Sequence, residues 1–514
     1  MILRMSVSVA EKISRTSHSP SAVSVVKAWP RDVPLFVLHS GREHPAWSRY
    51  SVLTTPVVQV TAEENGTCHW SATGGDAPPL PQRSADPLQV LRDLLHGTSI
   101  KNSIYKAELP RNMPQSGWIG YLAYELGRVL EPAATLEYAL KRGLCRFGLK
   151  SRATAANRSG GELFSLGYCP GMLVHDNNTG RWHTTGTWAE KLPPRIEDSF
   201  RTAVDSSRAA GSGCAGCVTG NIRSETTRAE HEEAVARAVE YIHAGDAFQV
   251  NITRRINGTF AGNIRDLFLT SCELAPAWYS SLLEIPLITG KKQALLSMSP
   301  ELFLKVDGET RKVITRPIKG TLAADQPVEL LKLSEKDAAE LHMIVDLCRN
   351  DLGRVCEKGS IKVSEARVME THPTVHHGAA TIEGILLADA EVTDLLRATF
   401  PAGSVTGTPK IRAMQIIEEL EKSPRGVYCG AIGYFGDDGS LALNVAIRTL
   451  QIREKNRDQV RRGNALPGMF HEAEFVYGTG GGIVADSLPD AEYQETVTKS
   501  AVLQKLCKAA SGEK

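Results

Sequence analysis

Apolar positions along this chain change period several times, and those changes mark its elements. Between 32 and 60 the apolar residues fall in short runs: Leu35-Phe36-Val37-Leu38, Ser51-Val52-Leu53 and Val57-Val58-Gln59-Val60. Glycine, proline and charge divide them, which predicts antiparallel strands rather than βαβ units. A loop rich in Gly, Pro and Asp over 64–87 leads to a helix from 87 to 95. Residues 117–127 are apolar and glycine-spaced, as closely packed backbone requires. From about 190 to 225 the chain turns polar and rich in Ser, Gly and Arg, the best place for a domain boundary.

Beyond that boundary the periodicity sharpens. Ala234, Ala238, Tyr241 and Ile242 recur at helical spacing, predicting a helix over 226–244 with Gly245 as its stop. Strands are expected over 248–253 and 301–306, and one long helix over 327–348. Another helix ends at 395–400. Pro409 reads as the first residue of a helix over 410–420. Residues 426–435 and 441–452 read as a hairpin turning at Asp437-Asp438-Gly439, and a last helix runs over 489–506. Strands and helices in no regular alternation place the chain in the α+β class with a largely antiparallel core.

Composition narrows the function classes. The 514 residues are 42% hydrophobic and 23% charged with a net charge of +1. Such a balance offers no bulk attraction for nucleic acid or an anionic membrane. No apolar run approaches the roughly 20 residues that span a bilayer. The ten cysteines are scattered, which suggests a reducing compartment. Cys214 and Cys217 form a close pair with no second pair to complete a zinc site. Residues 1–30 are serine-rich and carry Arg4, Lys12, Arg15 and Lys27 against Glu11. An organellar transit peptide and a disordered terminus of a cytoplasmic protein both look like this; the cytoplasm is the expected location.

Several residues are costly where the pattern puts them. Lys319 stands between Pro317 and Gly320, which reads as a stiff corner, and by itself it fits a solvated turn residue. Glu340 shares a helix face with Met343, Ile344 and Leu347, where a carboxylate needs a partner, a cation or an edge position. Glu492 and Glu495 lie one turn apart near the start of the last helix, and Glu495 can pair with Lys499. If Glu340 and Glu495 face each other, two carboxylates and water suit Mg²⁺. Gly478-Thr-Gly-Gly-Gly-Ile483 is either a tight turn or a backbone cradle for an anion. Ser404 to Lys410 offers small hydroxyls, glycines and a lysine before a helix start. Arg448 falls in an apolar strand, where an unpaired guanidinium is expensive. His377 fits a packed histidine or a group that orients or deprotonates a bound acid. Together these groups suggest a small substrate with more than one carboxylate, plus a divalent metal.

Six stretches carry a resemblance, in order: 245–251, Ser297-Met-Ser-Pro-Glu-Leu-Phe303, Arg316-Pro-Ile-Lys-Gly-Thr321, 343–354, 400–414 and 477–496. They are similar to the chorismate-utilising enzymes: aminodeoxychorismate synthase component I, anthranilate synthase component I and the isochorismate synthases. The resemblance is strong over 225–505 and weaker over 32–190. It implies an antiparallel β-sandwich core flanked by helices. It also implies four segments: an extension (1–30), an N-terminal region (31–195), a linker (196–225) and a chorismate-binding catalytic region (226–508).

Lys319 in a Pro-Ile-Lys-Gly-Thr setting resembles the aminodeoxychorismate synthases, where this lysine is a nucleophile. The implied reaction converts chorismate and ammonia to 4-amino-4-deoxychorismate for p-aminobenzoate and folate, through a covalent lysine intermediate. The implied site has Glu301 as acid, His377 as the active-site histidine, and Glu340 and Glu495 as Mg²⁺ ligands. Gly320, Thr321, Lys410, Tyr434, Arg448, Gly480, Gly481 and Gly482 would contact substrate. A separate glutamine amidotransferase subunit would supply ammonia. Relatives often carry Pro-Arg soon after the Gly-Thr, where this chain has Leu322-Ala323-Ala324. Anthranilate or isochorismate as product, and a non-catalytic chorismate-binding subunit, are the competing readings.

Overall fold

The computed structural model describes residues 19–42, 44, 47–72, 78, 86–97, 112–145, 161–206, 218–286, 292–371, 375–455 and 466–511. Two sheets of eleven strands each form the framework, and every pairing is antiparallel. The first runs from Gly407–Thr408 through Gln249–Asn263, Met469–Ile483, Thr449–Glu454 and Gln293–Ser299, and on through Tyr279–Ile285, Phe36–His39, Tyr50–Thr54 and Gly171–Asp176 to Arg181–Gly186. The second begins at Ile318–Ala323 and passes through Val375–Ile385, Lys312–Arg316, Leu302–Val306 and Leu441–Val445. It continues through Ala431–Gly436, Gly117–Leu122, Glu162–Cys169 and Val58–Glu63 to Cys68–Ala72.

A shared core joins the sheets. Phe36, Val52, Met172 and Leu283 from the first pack with Ile119, Tyr121, Ile432 and Tyr434 from the second. The outer face of the first sheet buries helices Ala22–Ala28, Pro194–Ser206, Ile264–Leu274 and Pro489–Ser511. The outer face of the second buries Pro87–Gly97, Glu335–Gly353 and Val392–Thr399. The α+β sandwich flanked by helices is therefore present. Among the described residues no helix is long and apolar enough to cross a membrane.

Several local expectations need correction. Residues 1–18 and the Cys214–Cys217 pair lie outside the described residues. Ala22–Ala28, expected to be disordered, is a helix capped by Ser21, because Val25, Val26 and Trp29 offer enough apolar surface to dock. The expected linker holds most of helix Pro194–Ser206 and the strand Val218–Ser224, and strands from both sides of it interleave in both sheets. The helix expected over 327–348 is two, Val328–Leu333 and Glu335–Gly353. Ser334 is extended between them, and its side chain caps the second by accepting from Asp337 N. Pro409 is the extended residue preceding helix Lys410–Leu420 rather than its first turn. Thr226 and Thr227 fit the expected start of Arg228–His243, where Thr227 and Glu230 form a reciprocal capping box.

Candidate active site

The site lies where the second sheet's edge strand, Ile318–Ala323, meets the glycine run of Met469–Ile483 in the first. Lys312–Arg316 pairs with Ile382 to Ile385, and Ile318–Ala323 pairs with Val375 to Ala379 of the same neighbouring strand. Pro317, with no N–H to give, interrupts an otherwise continuous edge, and its carbonyl accepts from Ala380 N at 3.2 Å. Lys319 thus sits in a strand, not on the corner its flanking residues suggested. Gly320, at φ 79°, lets the chain bulge there, and the register shifts between Lys319 and Thr321. A Cβ on Gly320 would come within 2.9 Å of Leu331 Cδ1 and 3.0 Å of Asp337 Oδ1. The bulge turns the lysine toward the glycine run. A Cβ on Gly482 would lie 2.9 Å from Lys319 Nζ and 2.6 Å from Gln249 Nε2.

Acids surround this lysine. Glu301 is 4% exposed, and its Oε1 accepts a long hydrogen bond from Ile318 N at 3.5 Å. Burial pushes its pKa up to about 7, against the opposing pull of Ser404 and Lys319. A Cβ on Gly481 would stand 3.3 Å from both Glu492 Oε2 and Glu495 Oε1. Lys499 Nζ lies 2.6 Å from Glu495 Oε1 and donates to Gly480 O at 3.1 Å, so the expected Glu495–Lys499 pair forms. Burial alone would raise the Glu495 pKa, and Lys499 outweighs it, leaving it lowered. Glu340 and Glu492 are raised by burial, and Glu495 adds repulsion to both. Burial lowers the Lys319 pKa; Glu340 opposes this and Lys499 reinforces it.

These carboxylates fit a divalent cation. Glu492 Oε1 accepts from Ser487 Oγ at 2.7 Å, whereas its Oε2 is buried with no hydrogen-bond partner among the described residues. Among the described residues no three acidic, His or Cys side chains close into a metal cage. An open site of two carboxylates completed by water and substrate is the arrangement Mg²⁺ favours.

Arg448 and His377 are two more of the residues expected in the site. Arg448 lies between strands Leu441–Val445 and Thr449–Glu454 at φ 50°, not inside one continuous strand. Its guanidinium makes no hydrogen bond or ion pair among the described residues, and burial lowers its pKa. His377 is buried on Val375–Ile385, pairs in register with Thr321, and has Nδ1 3.4 Å from Gly320 O.

Two expected substrate contacts, Tyr434 and Lys410, are engaged by other groups of the protein. The Tyr434 hydroxyl donates to Ser116 O at 3.0 Å and accepts from Gln115 N at 3.3 Å. It lines a separate cavity of about 270 Å³ with Trp47, Tyr50, Trp278 and Lys305. Lys410 Nζ is spent on Asp351 Oδ2 at 2.6 Å and Thr399 O at 2.5 Å. Sequence reasoning missed two neighbours of the glycine run. The Tyr428 ring occupies the space beside Gly478, 2.1 Å from where a Cβ would sit. Gln249 is fully buried, and neither amide atom has a hydrogen-bond partner among the described residues; a glutamine amid Val250 and Ile252 was the available signal.

The chain matches the chorismate binding enzyme family over residues 43–505. It is 33% identical to aminodeoxychorismate synthase component 1 of Escherichia coli (strain K12), covering 95% of this chain and 93% of that protein. It is 30% identical to anthranilate synthase component 1 of Aquifex aeolicus (strain VF5), covering 92% and 89%. The crystal structure of anthranilate synthase component I from Streptococcus pneumoniae TIGR4 aligns at a TM-score of 0.65 and 27% identity, over 90% of this chain and 93% of that one. With its sandwich, glycine cradle and acid-ringed lysine, the chain belongs to the chorismate-utilising enzymes.

Proposed function

We propose that this enzyme aminates chorismate at C4, giving 4-amino-4-deoxychorismate for p-aminobenzoate and folate synthesis. One observation carries the reading: the Lys319 amine stands over Gly482, with its pKa lowered by burial, in a site that also holds the Glu301 acid. Burial that disfavours the ammonium form makes the lysine a better nucleophile, and a carboxyl with a pKa raised to about 7 can serve as both acid and base.

The steps balance without an external oxidant or reductant. The neutral Lys319 amine bonds to C2 while the ring double bonds shift and the C4–O bond breaks. Glu301 gives its proton to the departing hydroxyl, which leaves as water. Ammonia then bonds to C4, the double bonds shift back, and the C2–N bond breaks with its electron pair returning to Lys319. The new C4 ammonium returns a proton to the Glu301 carboxylate, restoring both groups. Arg448 and the backbone of Gly480 to Gly482 hold the substrate carboxylates, and His377 fixes the Gly320 carbonyl beside the lysine. Mg²⁺ on Glu340 and Glu495 would supply Lewis-acid polarisation of the ring carboxylate.

Relatives named component 1 imply a second component, and a glutamine amidotransferase delivering ammonia fits the reaction. Purified enzyme with chorismate, Mg²⁺ and an ammonium salt should yield a product of aminodeoxychorismate mass without pyruvate. Pyruvate release would point to anthranilate. Tight binding without turnover would point to a regulatory subunit.

A further inference from the structure

Beside the acids of the last helix lies an arginine that the reaction above does not use. Arg254, on strand Gln249–Asn263, is in register with Thr479, and Ile252, two residues back, is in register with Gly481. Side chains two apart on a strand share a face. Arg254 therefore projects to the same side as the Gly481 position that Glu492 and Glu495 approach. It is 5% exposed, and among the described residues no carboxylate pairs with it.

Its immediate partners are neutral. Nε donates to Thr496 Oγ1 at 2.7 Å, and Nη1 donates to Ser224 Oγ at 3.2 Å. The guanidinium lies 5.1 Å from the centre of the Tyr493 ring, which His231 meets edge-on at 5.8 Å. Across the strand pair, Thr479 Oγ1 donates to Thr496 O at 3.0 Å. A buried charge held only by neutral groups is costly, and such a departure from good packing chemistry is expected where function requires it.

We propose that Arg254 is a positioning residue for the acids that bind the metal. Its two contacts on helix Pro489–Ser511, Tyr493 and Thr496, each follow one of those acids, Glu492 and Glu495, by one residue. Holding 493 and 496 against the strand fixes the rotation of the helix, and with it the direction of both carboxylates. At the rim of a helix about 10–12 Å across, each 10° of rotation moves a carboxylate by about 1 Å. Mg²⁺ demands near-ideal octahedral geometry at short distances, so it tolerates little such movement. The inference rests on the assignment of Glu495 as a metal ligand.

Mn²⁺ binding to the full-length enzyme, followed by electron paramagnetic resonance, tests this without turnover. Arg254→Met keeps most of the side chain's bulk and loses the donor and the charge. It should weaken Mn²⁺ binding about tenfold or more, with a Tm equal to or above that of wild type, because a costly buried charge has gone. Thr496→Val should weaken binding similarly, and Thr496→Ser, which keeps the hydroxyl, should recover most of that loss. The double variant Arg254→Met/Thr496→Val should lose no more than the worse single one, since both act through one contact. Mn²⁺ affinity within about twofold of wild type in both single variants overturns the proposal. So does a loss that tracks a fall in Tm and is not recovered by serine. Glu495→Gln tests the metal assignment by itself: no Mn²⁺ bound to the wild type, or equal affinity in Glu495→Gln, sinks that assignment. The kcat for ammonium-dependent amination then judges Arg254, a loss recovered by Thr496→Ser supporting its role and an unchanged kcat overturning it.

Discussion

Gly482→Ala isolates the contact on which the site is built. The added methyl would lie 2.9 Å from Lys319 Nζ and 2.6 Å from Gln249 Nε2, where 3.4 Å is the near edge of ordinary contact. The amine must therefore retreat by about 0.5 Å and the Gln249 amide by about 0.8 Å. The lysine tip is the free end of a flexible chain and yields cheaply. Gln249 is fully buried and does not, so overpacking should cost about 1–3 kcal/mol of stability. In a chain this long that is a melting shift of only a few degrees. Displacing a nucleophile by a sizeable part of an ångström costs far more in rate, since about 1 Å of misplacement can lose about a hundredfold. The expected outcome is a ten- to hundredfold fall in kcat for ammonium-dependent amination, with a small change in Tm. Steady-state kinetics beside calorimetry read both. Turnover within about twofold of wild type would refute the placement of Lys319 over Gly482.

Other consequences follow from the same geometry. Lys319 must be neutral and Glu301 protonated, so amination should follow a bell-shaped pH profile with one limb near 7 set by Glu301 and the other set by the lowered lysine pKa. Glu301→Gln should abolish the limb near 7 and slow the reaction by about 10²–10⁴-fold; an unchanged limb near 7 would assign it to another group. Arg448→Lys keeps the charge but loses the planar fork, so the KM for chorismate should rise with little change in folding; an unchanged KM would remove Arg448 from substrate binding. Tyr434→Phe should leave amination within about twofold and cost about 0.5–1.5 kcal/mol of stability in its lost hydrogen bonds. A large kinetic defect would return Tyr434 to the active site.

How much was legible in the sequence follows from how local each signal is. Glu340, Arg448 and the run from Gly480 to Gly482 stood out because each is costly in its own segment: a charge on an apolar face, or glycine where a strand wants side chains. Lys319 gained meaning from neighbours far off in sequence, Glu301 and Gly482 among them. Lys410 looked like an anion ligand because its local setting precedes a helix, yet its partner Asp351 lies on a different helix, and no local pattern records that pairing. Tyr428 and Tyr434 share one apolar stretch, and alternation alone does not say which reaches the glycine run. The positive φ at Cys429 redirects the chain between them. The break at Ser334 was hidden because apolar spacing continues across it, while the serine carries the cap.

The central claim is that Lys319 bonds to the substrate. Enzyme incubated with chorismate and Mg²⁺, without any ammonia source, should gain the mass of chorismate less water. Digestion should place that mass on the peptide containing Lys319, and Lys319→Ala should gain none. An adduct on another residue, or one that survives Lys319→Ala, would contradict the account.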